Sequence, residues 1–406
     1  MKLRGLLLTL FLLAAGPSGI RSSVHAGQAQ EKVSPPPSAV PPSNASKIAF
    51  VRNMTYPDAV FDAPKSTNIF VAGAEEPGKE VQLTTDDRSY SPAWSPDGAT
   101  LAYIHLDERT TADKKRWTTS EVMIMDAGGT NRRHLAGFQF GRPPTLAWSP
   151  DGRTLAVGGV FLGPSADGSG IIESSVYLID VMAHRSPRLL VKRAAAPSWS
   201  PDGSRIAYTC TSEIRLGVYQ GFLCVVPVAE GTPPRVLVQD GWDPLWSPDG
   251  KQIAYIAHVG KSWELVICQS DGSGVHVVAG SEREWPSFAW SPDGTRLAFT
   301  EERPLADEEF SVGSVSSQVV PRVFVLNRDG TRMGPYGENL RLSCHSLSWS
   351  PGGKYISAIC TAGLRDSTTR QPRSEDNLFF LDPENSKSPP RLIAGKGIEA
   401  AVFSPR

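Results

Sequence analysis

The chain has 406 residues, enough for one large domain or two ordinary ones. Its 41 Lys and Arg nearly balance 42 Asp and Glu, for a net charge of −1, which excludes the basic stripe that a nucleic-acid binder needs. The 37 Gly and 34 Pro speak against long helices and for many tight turns between short strands.

Residues 1–26 read as a secretory signal. Lys2 and Arg4 give the positive start, and the apolar run from Gly5 to Ala15 is too short to cross a bilayer comfortably. Val24-His25-Ala26 offers small residues for cleavage after Ala26, with an uncleaved anchor as the alternative. The apolar core is not followed by a Cys, so a lipoprotein anchor is not expected. The mature chain is therefore expected in the periplasm or secreted, with no transmembrane segment after cleavage. Residues 27–46, with Ser34-Pro35-Pro36-Pro37 and Pro41-Pro42, read as a semi-rigid linker. The folded domain is expected over 47–406.

That domain carries one repeated motif, apolar–Trp–Ser–Pro–Asp–Gly, at Trp94, Trp148, Trp199, Trp246 and Trp290. A sixth copy, Trp349-Ser-Pro-Gly352-Gly353, lacks the Asp, and a seventh begins at Phe403-Ser404-Pro405. Successive copies are 44 to 59 residues apart, a spacing that suits four-stranded propeller blades. Each part has a mechanical reason. The residues ending in Trp form an innermost strand, with the ring as an apolar face between blades. Pro presets its φ, Asp bonds the backbone two residues on, and Gly supplies a positive φ. A second strand returns from the turn, as in Leu101-Ala-Tyr-Ile104 and Ile253-Ala-Tyr-Ile256, and third and fourth strands follow. The fourth strand of the sixth unit is faint, around Arg332 to Tyr336.

The ends complement each other. Ile48 to Val51 is a second strand without a first, and Ala400 to Phe403 is a first strand without a second. Pairing them closes the ring and leaves no open edge. The fold expected is all-β: a seven-bladed β-propeller of four-stranded blades closed by the C-terminal strand, with six blades as the alternative.

Five cysteines fit an exported protein with one or two disulfides. Cys344 and Cys360 are symmetric about Gly352, and Cys210 and Cys224 about Gly217, so each pair can face across a hairpin. Cys268 is left over, and five reduced core cysteines remain the alternative.

The Trp-Ser-Pro-Asp-Gly-x-x-Ile-Ala-Tyr pattern resembles the repeat of the TolB-like propellers, and similar repeats form the propellers of prolyl-oligopeptidase-type peptidases. The resemblance covers about residues 47–406. It implies the fold firmly and function only loosely. Two departures stand out: a Pro-rich linker occupies the place of TolB's N-terminal α/β domain, and TolB is usually six-bladed. The chain also ends on its closing strand, where the peptidases add an α/β-hydrolase domain.

Catalytic signatures are missing: there is no Gly-x-Ser-x-Gly elbow, His-Glu-x-x-His, P-loop or paired-Cys zinc spacing. Asp97, Asp151, Asp202, Asp249 and Asp293 read as turn residues, one per blade. Seven-bladed relatives that include oligogalacturonate lyases use a His-rich metal site, which makes His105, His258 and His345 candidates, against the commoner reading of solvated loop histidines. No catalytic residue, cofactor or metal is expected.

The stronger feature is aromatic. Trp117, Trp242, Trp263 and Trp285 lie outside the repeat, and Tyr90 and Trp242 each stand four residues before a motif Trp. These positions are expected to ring the channel mouth opposite the Ser-Pro-Asp-Gly turns, either as a binding surface or packed under long connections. Those connections, residues 105–120, 159–174, 301–321 and 361–376, lie on the same face. The expectation is a non-enzymatic, monomeric, exported propeller that binds a protein or a cell-envelope component through its loop-rich face. The alternative is a carbohydrate-active lyase or hydrolase with a site at the channel mouth.

Overall fold

The Ser-Pro-Asp-Gly turn sets the architecture through one repeated set of hydrogen bonds. In the computed structural model the hydroxyls of Ser95 and Ser149 each donate to their own Asp Oδ1 at 2.6 Å, and Ser200, Ser247 and Ser291 do the same. That oxygen also accepts the backbone N–H two residues on, from Ala99, Arg153, Ser204, Lys251 and Thr295. The Ser Oγ in turn accepts the N–H five residues on, which starts the return strand. The motif glycines from Gly98 to Gly294 hold φ of 68° to 71°. In the sixth copy Gly352 replaces the Asp, yet Ser350 still accepts the N–H of Tyr355.

The structure describes residues 46–53, 66–76, 78–110, 116–138, 144–163, 171–183, 185–215, 218–282, 286–304, 319–337, 342–365, 372–395 and 397–404. All lie in one compact unit, residues 37–406. The expected signal and all but the last residue of the expected linker fall outside them. Among the described residues no helix is long and apolar enough to cross a membrane.

Seven four-stranded antiparallel sheets form the ring. Their innermost strands are Ile398–Phe403 in blade 1, Ser89–Trp94 in blade 2, Thr145–Trp148 in blade 3 and Ala194–Trp199 in blade 4. Trp242–Trp246, Phe288–Trp290 and Leu342–Trp349 follow in blades 5, 6 and 7. Blade 1 joins the two ends of the domain, with Ile48 opposite Phe403 and Val51 opposite Ala400. The faint strand of blade 6 is real: Arg332–Tyr336 pairs with Val319–Asn327, so the six-bladed alternative falls. On the second strands Ala49, Ala102, Ala156, Ala207, Ala254 and Ala298 are fully buried, where a small side chain lets the blades approach closely.

The motif Trp does more than supply area. Its indole N–H donates to the carbonyl of the residue before the motif aromatic in the preceding blade. The pairs are Trp94 to Val402, Trp148 to Ala93, Trp199 to Ala147, Trp290 to Leu245 and Trp349 to Ala289, at 2.9–3.3 Å. Trp246 is the exception, since its buried Nε1 has no partner. At that junction, and at the one into Phe403, a serine acts instead. Ser198 Oγ accepts the N–H of Trp246 at 3.1 Å, and Ser348 Oγ that of Phe403 at 3.5 Å.

Both expected disulfides are present, Cys210–Cys224 and Cys344–Cys360, and Cys268 is free and buried. Cys344 stands directly opposite Cys360, brought there by a register shift between His345 and Ser348. The first pair is diagonal rather than facing, because Cys210 stands opposite Phe222 and Cys224 opposite Tyr208.

The turns also carry a pH signature. The Ser200 hydroxyl and the Ser204 N–H hold Asp202 down at about 2, and Asp97 and Asp151 are lowered by their own serines and backbone N–H groups. These folded-state values lie below the roughly 3.9 of an unfolded Asp, so the turns stabilise the fold above that pH and lose the contribution as pH falls through the folded values. A Tm level down to about pH 4 and falling below it is expected in calorimetry. Asp202→Asn reduces that fall, and a Tm indifferent to pH in this window would contradict the assignment.

Candidate functional site

The second and third strands of most blades run past the other two, as two-stranded arms on the face opposite the Ser-Pro-Asp-Gly turns. In blade 2 the innermost strand ends its pairing at Ser89 opposite His105, whereas the arm continues to Thr110 opposite Arg116. Blades 3, 6 and 7 extend likewise, to Gly163 opposite Ile171, Pro304 opposite Val319 and Arg365 opposite Pro372. The described ends of the connections read as loops are thus strand, and their tips lie outside the described residues.

Inside this palisade the innermost strands are irregular. In blades 2, 4, 5 and 7 the residue three before the motif Trp is left-handed: Ser91, Ala196, Asp243 and Ser346 have φ of 47° to 51°. The ladder slips at each of these places. Pro92, Pro197 and Pro244 follow in three of the four, and a missing N–H is tolerated on a strand whose free edge faces an open channel. A non-glycine residue in this region costs about 1–3 kcal/mol, and such residues cluster at functional sites.

The channel bounded by these strands holds a cavity of about 720 Å³, lined from blades 3 to 7. Trp148, Trp199 and Phe288 give it aromatic surface, and Pro197, Pro244 and Pro286 give it stiff apolar surface. Thr145, Asp243 and His345 supply polar groups, and both Thr145 and Asp243 are exposed. This is a mostly apolar cavity with a few polar groups, the usual make-up of a binding site. Its lining does not stand out in the sequence, because the motif Trp reads there as an apolar face between blades. The signal available was the Pro two residues before Trp94, Trp199 and Trp246, out of place in an ordinary strand.

Of the aromatic candidates, Tyr90 is half-buried against the cluster holding Ile104 and Val157 between blades 2 and 3. Trp242 and Trp263 share a different cluster, with Ile256, Leu265 and Phe299. The Trp242 ring lies flat against Gly221, where an added Cβ would come within 2.3 Å of it. Trp263 packs against His258 in a tilted pair, 4.3 Å between ring centroids. Trp285 and the side chain of Trp117 lie outside the described residues.

The three histidines are not brought together. His105 Nδ1 lies 3.3 Å from Asp86, which raises its pKa, His258 meets Trp263, and His345 lines the channel. Among the described residues no group of three or more His, Cys, Asp or Glu could hold a metal ion.

The family model for the TolB beta-propeller domain matches residues 45–336, more than half of the chain. An uncharacterized peptidase, YuxL, of Bacillus subtilis is 33% identical over 92 residues, 23% of this chain and 13% of that protein. Dipeptidyl-peptidase 5 of Aspergillus fumigatus is 32% identical over 95 residues, 23% of this chain and 12% of its own length. The matched stretch is thus a small part of either relative. These peptidase names overturn the expectation of a non-enzymatic protein. Nothing in them supports the carbohydrate-enzyme alternative.

Two solved structures share the fold. The β-propeller domain of the Trilobed protease from Pyrococcus furiosus has a TM-score of 0.52 at 14% identity, over 86% of this chain and 94% of that one. A puromycin-hydrolyzing peptidase of Mycobacterium tuberculosis has a TM-score of 0.54 at 14% identity, over 88% and 53%.

Proposed function

Because the chain belongs to the TolB β-propeller domain family, we propose that it binds an extended segment of a protein partner in its central channel, entered from the face of the arms. The carrying observation is the channel cavity of about 720 Å³ with its aromatic and proline lining. An extended peptide suits a bore walled by strand edges, and the left-handed residues at 91, 196, 243 and 346 break the ladders beside it. The peptidase names of the curated relatives favour a peptide over other envelope components. On this reading Tyr90, Trp242 and Trp263 border the mouth, and residues 1–26 send the protein to the periplasm or beyond.

The test uses peptides selected from a displayed random library on the intact protein and measured by fluorescence anisotropy. Thr145 is exposed on the channel wall, so Thr145→Trp obstructs the bore while sparing the core. Affinity is expected to fall about tenfold or more with Tm unchanged. An affinity equal to that of the wild type would sink the proposal.

A further inference from the structure

The wall of the channel cavity is uneven in its hydrogen-bonding groups. The indole N–H groups of Trp148 and Trp199 are both spent on carbonyls of the preceding blade. Their rings therefore offer the channel π surface and no donor. The Thr145 hydroxyl donates to Gly158 O, and the Asp243 N–H donates to Thr209 Oγ1. The Ser287 N–H is likewise taken, by Thr300 Oγ1. A free strand edge offers N–H and C=O alternately, but Pro150, Pro197, Pro244 and Pro286 supply carbonyls alone. The wall is thus richer in acceptors than in donors.

The charge runs the same way. Asp243 and His345 are the titratable side chains among the described lining residues, and no Lys or Arg joins them. Asp243 is exposed on the wall. It also interacts within the protein, but no cation of the described lining offsets its charge. The backbone does not explain the carboxylate. The equivalent left-handed positions of blades 2, 4 and 7 hold Ser91, Ala196 and Ser346, so the conformation is reached in this ring without one. Blade 5 alone among these four places an acid there, facing aromatic rings and carbonyls.

We infer that the channel reads a basic side chain, Arg or Lys, in the extended segment it binds, with Asp243 as the residue that sets this specificity. The inference rests on the channel binding such a segment, as proposed above. A guanidinium brings five N–H donors and an ammonium three, and neither brings an acceptor. The cation pairs with the Asp243 carboxylate, and its remaining donors meet the carbonyls of the proline-lined wall. The π faces of Trp148 and Trp199 attract the same charge. Because Asp243 is exposed, the attraction is screened and binding weakens as salt is raised.

Peptides selected on the intact protein from a displayed random library, then made with acetylated N-termini, test this by fluorescence anisotropy. The selected sequences are expected to share an Arg or a Lys. Replacing that Arg by citrulline, or that Lys by norleucine, should weaken binding about tenfold. Asp243→Asn keeps a residue type that tolerates a left-handed φ, and Asp243→Ser copies blades 2 and 7. Each should weaken the parent peptide about tenfold with Tm unchanged. Combined with the neutral peptide, either variant should cost little more than one change alone, the mark of two groups that meet. Selected peptides without a basic residue, losses that simply add, or binding that requires a free N-terminus overturn the inference and leave the channel itself as the site. A parent affinity indifferent to Thr145→Trp overturns both.

Discussion

Phe403→Ala is expected to destabilise the ring by about 3–5 kcal/mol, the usual cost of removing a buried aromatic side chain. Phe403 ends the strand that completes blade 1, directly opposite Ile48. Its ring packs on Phe380 of blade 7 at 5.0 Å between centroids and is buried with Phe50, Ile359 and Leu378. The side chain therefore holds two things at once: the pairing of the chain's two ends, and the junction of blades 7 and 1. The Trp94 indole, bonded to Val402 O on the same strand, loses its anchor if that strand frays. Loss of closure exposes the edge of Lys47–Asn53, and an open edge invites aggregation. Chemical denaturation of the variant should show the full loss, with aggregation rising alongside it. A change below about 1 kcal/mol would mean that the ring does not depend on this closure.

The second large effect is a difference between two tryptophans. Trp349 and Trp246 are buried almost equally, 6% and 4% exposed, and each has an arginine over its ring at 4.8 Å, Arg296 and Arg205 respectively. Their side chains differ in one bond: the Trp349 indole donates to Ala289 O at 2.9 Å, whereas the Trp246 indole has no acceptor. Replacing either by Phe removes similar ring area. Trp349→Phe also takes the donor from Ala289 O, while Trp246→Phe removes a buried N–H that had no partner. Trp349→Phe should therefore cost about 1–3 kcal/mol more than Trp246→Phe. Denaturation of the two variants side by side measures this, and equal losses would show that ring area alone holds the blades together.

The blade count and the ring closure were legible because the Ser-Pro-Asp-Gly turn is a local device. Its Ser, Asp and Gly satisfy one another within five residues, so the residue types and their spacing carry the whole structure. The faint blade 6 was readable for the same reason, its Trp290 turn being complete. What depends on neighbouring blades was not legible. The indole-to-carbonyl bonds join residues 45 to 308 positions apart, and nothing near Trp246 in the sequence marks it as the one without an acceptor. The Cys210–Cys224 pairing was foreseen with the wrong geometry. The hairpin of blade 4 shifts register between Glu213 and Arg215, which symmetry about Gly217 does not reveal. The channel lining escaped notice because Trp148 and Trp199 serve the scaffold and the cavity together. The aromatics outside the repeat drew attention instead, and of these Tyr90 and Trp242 pack against blade clusters.

The most direct test of the account is where a bound peptide lies. A photo-crosslinking residue at position 145, on the channel wall, is compared with one at position 182, where Met182 is 77% exposed in the groove between blades 2 and 3. Peptide selected on the intact protein should crosslink from position 145 and not from position 182. Crosslinking from 182 alone would place binding outside the channel and contradict the account.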